Sequence, residues 1–135
     1  MKFKTVSESE QALSPYVVLD LTHYIAGPYC TKLLGEFGAE VIKVEKPGVG
    51  DGARRLGPFF HDEPHPEGSG LFSYLNTNKK SITLNLKCEM GVRIFKELVK
   101  HADALVESFS PRVMPSLGLD YETLEEINPS LVMTS

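Results

Sequence analysis

Residues 17–46 read VVLDLTHYIAGPYCTKLLGEFGAEVIKVEK, and this stretch decides the fold. Its first five residues form a short, largely apolar run, which is typical of a parallel strand that is covered on both faces. Gly27 and Pro28 interrupt the run, and Pro28 suits the first turn of a helix because its missing N–H costs nothing there. The stretch therefore predicts a strand that passes through a tight turn into a helix.

The remainder of this stretch predicts a helix with one buried face and a second strand. Leu33, Leu34 and Phe37 recur at the spacing of a single apolar helix face. Gly38 follows where a left-handed C-terminal cap would lie, and residues 40–46 form a second β-rich run. Together these elements predict a βαβ unit, in which the helix connects two parallel strands by a right-handed crossover. The turn after the first strand then lies at the carboxyl edge of the sheet, where such folds bind ligands.

Shorter elements follow in the same alternating order. The pattern predicts helices at 68–76, 89–101, 111–117 and 121–127, and strands at 81–86, 104–107 and 131–134. Short strands that alternate with helices are typical of an α/β fold with a doubly wound parallel sheet, here of about five strands. The pattern does not determine the order of the strands.

A long segment rich in glycine, proline and charge separates the first unit from the rest. Residues 47–70 read PGVGDGARRLGPFFHDEPHPEGSG and show no apolar periodicity. Loops of this length are uncommon inside a compact domain and are usually functional or mobile, so we expect a flap on the substrate side or a contact with a partner. Within this loop, Asp51 and Arg54 predict an ion pair that orders the chain.

Metal-binding side chains occur in the same loop at positions 61, 62, 63 and 65, which are His, Asp, Glu and His. Pro64 and Pro66 break the i, i+4 geometry that a helical metal site uses. We therefore expect a solvated loop there and no metal site.

The composition fits a single domain and limits its partners. The chain has 135 residues, of which 41% are hydrophobic, which is enough for one core of ordinary size. Its 14 basic and 18 acidic side chains give a net charge of -4, which argues against nucleic acid or an anionic membrane as a partner. No apolar run reaches the about 18 residues of a membrane span, and the first residues lack a signal-peptide core. We expect residues 1–14 to be a flexible leader.

Cys30 and Cys88 lie far apart in the sequence, and no CxxC spacing occurs. This use of cysteine argues against a disulfide framework or structural zinc and favours a reducing compartment. We expect both to be buried free thiols. The location predicted on these grounds is the cytoplasm, or an organelle matrix if a transit peptide has been removed.

The string LTHYIAGPYCTKLLGEFGAEVIKVEKPGVGD, followed by Arg54, resembles the amino-terminal region of the family III CoA-transferases, which include formyl-CoA transferase, carnitine CoA-transferase and α-methylacyl-CoA racemase. The resemblance continues through NTNKKSITLNLK at 76–87, ADALVESFSP at 102–111 and LGLDYETLEEINPSLVMTS at 117–135. It covers nearly the whole chain but only the front part of such an enzyme. It thus implies that residues 15–135 are the amino-terminal part of a Rossmann-like CoA-binding domain, truncated from a larger enzyme.

The resemblance also implies a path for CoA across the carboxyl edge of the sheet. The positions that fall on CoA contacts are Ile25, Ala26, Lys46, Leu84, Asn85, Leu86, Lys87, Ser108, Phe109 and Ser110. Lys46 stands where relatives commonly have an arginine, so it keeps the charge but loses the bidentate geometry. Ser116 stands where some relatives add an arginine, so one phosphate contact is in doubt. His23 falls near the reacting centre.

The residues themselves give only partial support for a nucleotide site. Backbone N–H groups at the Ala26-Gly27-Pro28 turn can receive an anion, yet the same residues equally fit ordinary turn geometry. A GxGxxG fingerprint is absent after the first strand, which lowers the expectation of NAD or FAD. Glu45, at the end of the second strand, stands where dinucleotide enzymes keep a ribose-binding acid, which is a partial match.

Plainer roles exist for the basic side chains as well. Lys79, Lys80 and Lys87 could simply solvate the ends of a strand. His23 could be a hydrogen-bonded imidazole at a strand end with no role in turnover. The sequence leaves these alternatives open.

The resemblance places the catalytic group outside the chain. Family III transferases use an aspartate that attacks the acyl-CoA carbonyl to give an anhydride and then an enzyme-bound CoA thioester, which the acceptor acid resolves. That aspartate and a covering glycine-rich loop are expected beyond Ser135. The aspartates that do not match its context are Asp20, Asp51, Asp62, Asp103 and Asp120. No catalytic residue is therefore predicted in this chain.

Three functions remain open on the sequence. The first is the amino-terminal portion of a CoA-transferase, and the long insert between Arg54 and Asn76 favours it. The second is an acyl-CoA racemase of the same family, and the third is a non-catalytic nucleotide-binding module. The resemblance implies acyl-CoA and a carboxylic acid as substrates, no permanently bound cofactor, and an interlocked homodimer.

Overall fold

The computed structural model describes residues 11–135, so most of the leader expected at 1–14 lies outside the described residues. Within residues 11–135, five strands form one parallel sheet in the order β3-β2-β1-β4-β5. The strands are β1 Val17–Leu21, β2 Glu40–Glu45, β3 Lys79–Thr83, β4 Ala104–Glu107 and β5 Val132–Thr134. The helices are α1 Ala26–Glu36, α2 Gly70–Leu75, α3 Glu89–Val99, α4 Val113–Ser116 and α5 Tyr121–Ile127.

This arrangement confirms the predicted parallel α/β fold. From β1 the chain adds β2 and β3 on one side of the sheet, and it then returns to add β4 and β5 on the other. The strand order therefore reverses between β1 and β4, and ligands of such sheets bind outside the carboxyl ends of the strands at that point. None of the helices in the described part of the chain is long and apolar enough to span a membrane.

Alternating side chains along the strands give the sheet two different faces. One face carries the larger core, in which Leu19 and Leu105 pack against Phe95 of α3 and Leu124 of α5. The opposite face carries a smaller core of Val18, Ala39, Val41 and Val106, against which Leu34 of α1 packs. Helices thus cover both faces, as expected of a parallel sheet.

The face under α1 is apolar only at its amino end. Further along the strands, the side chains that continue this face are Asp20, Lys43 and Glu45, and all three residues are at most 3% exposed. Asp20 and Lys43 are also register partners across the β1–β2 ladder. The carboxyl-end part of this face is therefore a layer of buried charge.

The predicted apolar face of α1 is only partly correct, because Leu34 packs against the smaller core whereas Phe37 follows the last helical residue and is exposed. Phe37 is 60% exposed, and the buried residues of the helix are Pro28, Thr31 and Lys32. Thr31 Oγ1 donates a hydrogen bond of 2.7 Å to Asp20 Oδ2, so a hydroxyl rather than an apolar side chain meets the sheet at that point.

The third strand begins and ends two to three residues earlier than predicted at 81–86. Lys79 and Lys80 already pair with Val41 and Ile42 of β2, and the register ends at Thr83. Leu84 still donates its N–H to the Glu45 carbonyl at 2.9 Å, and beyond the strand Leu84 and Leu86 line a cavity at the carboxyl edge of the sheet.

The cysteine prediction is half correct. Cys30 and Cys88 are free thiols, but both are exposed, so their predicted burial is wrong. Cys30 lies on the outer side of α1, away from the buried charges. Cys88 precedes α3 as its N-cap, where its Sγ lies 3.2 Å from the carbonyl oxygen of Asn85.

Gly91 of α3 should be far less tolerant of a side chain than Gly35 of α1. A Cβ atom at Gly91 would overlap the carbonyl oxygen of Asn85, whereas one at Gly35 would meet its nearest atoms at 3.4 Å. We expect Gly91→Ala to lower the free energy of unfolding by roughly 1–3 kcal/mol. Gly35→Ala should change it by about 1 kcal/mol or less, since better helix propensity offsets the tighter contact. Urea unfolding of both variants measures this, and equal effects would contradict the close approach of α3 to Asn85.

Candidate functional site

A cavity of about 310 Å³ opens at the carboxyl edge of the sheet, beside the reversal of strand order. Its apolar walls come from Leu21 and Val44 at the ends of β1 and β2 and from Val113 and Leu117 around α4. The predicted site residues that line it are His23, Lys46, Leu84, Asn85, Leu86, Lys87 and Phe109. Four segments that are distant in sequence therefore meet at one site.

The other predicted contacts do not line this cavity. Ile25 and Ala26 are exposed residues at the start of α1, and Ile25 is 56% exposed. Ser108 and Ser110 are exposed at the end of β4, where Ser108 Oγ accepts a hydrogen bond of 2.9 Å from the His23 backbone N–H. Their contact with a ligand stays a prediction, while Ser108 has an observed role in holding His23.

Two lysines at the cavity carry positive charge that no acidic side chain of residues 11–135 neutralises by an ion pair. Lys46 and Lys87 are both exposed, and neither takes part in an ion pair of the described residues. By contrast, Lys80 is equally exposed but lies 2.7 Å from Glu40. A partly apolar cavity flanked by free ammonium groups suits a ligand that combines a hydrophobic body with anionic groups.

His23 lies at the boundary between the cavity and the buried charges. Its side chain is 26% exposed, and its ring centre lies 5.6 Å from that of Phe109. Burial lowers the pKa of His23, and the carboxylate of Asp51, 3.8 Å from Nδ1, opposes that shift only in part. The imidazole is therefore mainly neutral at neutral pH and offers both a donor and an acceptor.

Asp20 is the centre of the buried charge layer. Its carboxylate accepts hydrogen bonds from the Thr22 N–H at 2.8 Å and from Lys79 Nζ at 2.9 Å, in addition to the Thr31 hydroxyl. Burial alone would raise the pKa of Asp20, but the ammonium groups of Lys43 and Lys79 and the hydroxyl groups outweigh it, so the pKa is lowered. Asp20 is thus a carboxylate in the folded protein.

Lys79 and Lys80, left open as strand-end lysines, have different environments. The side chain of Lys79 is only 1% exposed, and its ammonium also donates to the Pro28 carbonyl and the Asn76 side chain. Lys80 points to solvent with its side chain 71% exposed. Lys79 is therefore structural, and only Lys80 solvates the strand.

The predicted ion pair between Asp51 and Arg54 is wrong, because each bonds to β2 instead. Asp51 Oδ2 lies 2.9 Å from Lys43 Nζ. Arg54 binds Glu45 through two hydrogen bonds of 2.8 and 2.9 Å, and its guanidinium lies 3.7 Å from the ring centre of Phe72. Both side chains still order the loop, since they attach it to the carboxyl end of the sheet.

The rest of this loop is also held by specific bonds. Ser69 Oγ lies 2.8 Å from the carbonyl oxygen of Ala53 and 2.5 Å from that of Leu56, either of which can accept its one proton, and Phe59 bridges to Ser69. The segment with metal-binding side chains, residues 61–65, is exposed. Across residues 11–135, no three His, Cys, Asp or Glu side chains come close enough to hold a metal ion.

The buried charges are the part of the site that the sequence interpretation missed. A signal for them does exist, because Asp20 in VVLDL and Lys43 in EVIKVE interrupt apolar strands at positions that share one face. Charged residues inside parallel strands must be paired, since the interior does not solvate them.

Comparison with known proteins gives a consistent result. The chain matches the family model for CoA-transferase family III over residues 13–135. It is 47% identical over 119 residues to an acetyl-CoA:oxalate CoA-transferase of Acetobacter aceti, which covers 88% of this chain and 29% of that protein. It is 44% identical over 128 residues to a succinyl-CoA:glutarate CoA-transferase of Mus musculus, covering 95% of this chain and 28% of that protein.

Solved structures agree with these matches. The crystal structure of the hypothetical protein Rv3272 from Mycobacterium tuberculosis superposes with a TM-score of 0.81 at 36% identity. The match covers 91% of this chain and 32% of that chain. The chain therefore spans less than a third of the length of the proteins that it matches.

Glu45 should stabilise the fold in a pH-dependent manner. Burial would raise its pKa, but the bonds from Arg54, Ser81 and the Asp51 N–H lower it from 4.5 to about 2. The ionised form is thus favoured by folding, so the stabilisation is complete above about pH 5 and disappears as the pH falls through about 2. We expect Glu45→Gln to lower the free energy of unfolding at pH 7 by about 3 kcal/mol, and the difference to shrink towards pH 2.

Urea unfolding between pH 2 and pH 7 measures this difference. Glu40→Gln is the matched control, because Glu40 pairs with Lys80 on the surface of the same sheet and its loss should cost at most about 1 kcal/mol. A difference for Glu45→Gln that stays constant over the whole pH range would contradict the assigned role.

Proposed function

Because the chain belongs to CoA-transferase family III, we propose that it is the amino-terminal, CoA-binding portion of an enzyme that moves CoA between an acyl-CoA and a free carboxylic acid. The observation that carries this proposal is the apolar cavity at the carboxyl edge with Lys46 and Lys87 beside it, both outside any described ion pair. Its volume lies at the lower end of the about 300–1,000 Å³ of ligand pockets, so it would hold one part of CoA while the phosphates meet the lysines.

The proposed CoA contacts extend beyond the cavity along the same edge. They comprise Ile25, Ala26, Lys46, Leu84, Asn85, Leu86, Lys87, Ser108, Phe109 and Ser110. The position of His23 inside the cavity and at the end of β1 supports a place for it next to the reacting thioester. The free acid differs between relatives that match this chain about equally well, oxalate in one name and glutarate in another. We infer that this portion serves CoA, the substrate half that those enzymes share.

The covalent step proposed for the whole enzyme uses an aspartate from outside this chain. Its carboxylate would attack the thioester carbonyl, forming a C–O bond as the C–S bond breaks and CoA leaves as a thiolate. The thiolate would then attack the aspartyl carbonyl of the anhydride, releasing the first acid and leaving CoA on the enzyme. The carboxylate of the acceptor acid would then attack the aspartyl thioester, forming a second anhydride as the C–S bond breaks and CoA leaves as a thiolate. This thiolate would attack the acceptor's carbonyl carbon in the anhydride, giving the new acyl-CoA and releasing the free aspartate carboxylate.

The environments of the aspartates support this placement of the nucleophile. Asp20 and Asp51 are completely buried in ion pairs. Asp103 accepts the Val17 N–H at 2.8 Å, and Asp120 caps α5. Asp62 is exposed on the long loop. None of these five is among the residues that line the cavity.

A racemase and a non-catalytic module remain the alternatives, and the transferase names of the matched relatives favour neither.

The whole enzyme is further proposed to be an interlocked homodimer. Exposed apolar side chains around α1, α2 and the long loop support a covering partner; they include Tyr24, Ile25, Tyr29, Phe37, Phe60 and Tyr74.

The two free thiols support a cytoplasmic or organelle-matrix location. Acyl-CoA is the proposed substrate, with no permanently bound cofactor.

Loss of the Lys87 ammonium should weaken CoA binding. A charge-assisted contact is worth roughly 1.5–3 kcal/mol, so we expect Lys87→Ala in the full-length enzyme to raise the Kd for CoA by about tenfold or more. Lys80→Ala is the control, because Lys80 is also exposed but does not line the cavity. Isothermal titration calorimetry with CoA measures both variants. An unchanged affinity for Lys87→Ala would remove Lys87 from the site.

Trapping the covalent intermediate tests the placement of the nucleophile. When the full-length enzyme is incubated with an acyl-CoA and treated with hydroxylamine, the modified carboxyl group should map outside residues 1–135. Peptide mass spectrometry locates it. A hydroxylamine-sensitive adduct on an aspartate or glutamate of this chain would instead require a nucleophile among residues that are now assigned structural roles.

A further inference from the structure

Asp51 connects the long loop to the turn at 22–24. Its Oδ1 accepts hydrogen bonds from the Tyr24 N–H at 3.0 Å and from the Ala53 N–H at 2.9 Å. Asp51 is completely buried. One carboxylate oxygen therefore joins two segments that are separated by the whole of α1 and β2.

The turn is held in a conformation that needs such a bond. Tyr24 has a φ of 68°, which a residue other than glycine adopts only when its surroundings impose it. Its ring lies directly over Gly52, where an added Cβ atom would come within 2.5 Å of the ring. Gly52 thus contacts the Tyr24 ring, and Asp51 accepts the hydrogen bond from the Tyr24 backbone N–H.

Other side chains hold the neighbouring backbone groups of the turn. Asp20 accepts the Thr22 N–H, and Lys43 Nζ donates to the Thr22 carbonyl at 2.8 Å. Ser108 Oγ accepts the N–H of His23. The backbone of residues 22–24 is therefore bonded to β1, β2, the end of β4 and the long loop. Asp51 supplies the bond on the loop side.

We propose that Asp51 is a positioning residue, which fixes the turn at 22–24 so that His23 is held in the wall of the cavity. The proposal rests on the proposed function, because the cavity is the one assigned to CoA. Asp51 would act through the backbone of Tyr24, and it does not itself line the cavity.

A charge-balanced pair of variants isolates the hydrogen-bonding role of Asp51. The buried layer contains Asp20 and Asp51 with Lys43 and Lys79, so removing one charge alone would leave another unpaired. K43M/D51N removes one charge of each sign and keeps an oxygen that accepts the Tyr24 N–H. K43M/D51L is matched in charge and size but has no acceptor.

The experiment compares these two variants in the full-length enzyme. By hydrogen–deuterium exchange without ligand, we expect the peptide that contains residues 22–24 to exchange about tenfold faster in K43M/D51L than in K43M/D51N, with no difference in α3 or β4. By calorimetry, the Kd for CoA should be about tenfold higher in K43M/D51L. The exposed pair Glu40 and Lys80 provides the control E40Q/K80M, which should match the unsubstituted enzyme in both measurements.

The two measurements separate the positioning role from the proposed function. Equal exchange at residues 22–24 in the two variants would overturn the role of Asp51, as would acceleration spread evenly over the whole sheet. Faster local exchange with an unchanged affinity for CoA would support the positioning of the turn and overturn the assignment of CoA to this cavity.

Discussion

The ion pairs between the sheet and α1 are the constraint on which the rest of this structure depends. Asp20 and Lys43 face each other across the central ladder, where the described residues exclude solvent almost completely. Moving such a charge out of water costs several kcal/mol unless partners surround it. Two residues from other segments supply these partners: Lys79 of β3 pairs with Asp20, and Asp51 of the long loop pairs with Lys43. The layer then holds two charges of each sign beside Glu45, whose charge is paired with Arg54.

This requirement orders parts of the chain that have no regular secondary structure. Glu45 continues the charged face of β2, and its carboxylate binds Arg54, Ser81 and the backbone of Asp51. The loop at 47–70 is therefore attached to the sheet at its base, although its composition is that of a flexible segment. Its exposed tip, residues 60–65, lacks such bonds to the sheet. Only the base of the loop is bonded to the sheet, because only the base carries groups that pair with the buried charges.

The sequence predicted the elements well and the charged interface poorly. The βαβ unit, the five strands and the helices follow from apolar periodicity, which reports on the larger core and correctly indicates the class of fold. The same reasoning fails for Phe37, because it assumes that a helix packs through its apolar side chains. It also placed β3 too late, since Lys79 looks like a polar flank although its ammonium is buried. The cavity was located by the carboxyl-edge rule and by resemblance, yet the bonds that hold His23 depend on contacts between distant segments, which no local pattern contains.

The two faces of the sheet also explain why the cavity lies where it does. On the α3 side, Leu21 and Val44 remain apolar up to the carboxyl ends of β1 and β2, where they line a hydrophobic opening. On the α1 side, Asp20, Lys43 and Glu45 are almost completely buried, and Glu45 is the one of these three that also lines the cavity. His23 lies two residues beyond β1, where its backbone N–H donates to Ser108 and its ring lies close to both Phe109 and Asp51. The buried charges and the cavity are therefore joined through two consecutive residues, since Asp20 and Lys43 bond to the backbone of Thr22 and His23 lines the cavity.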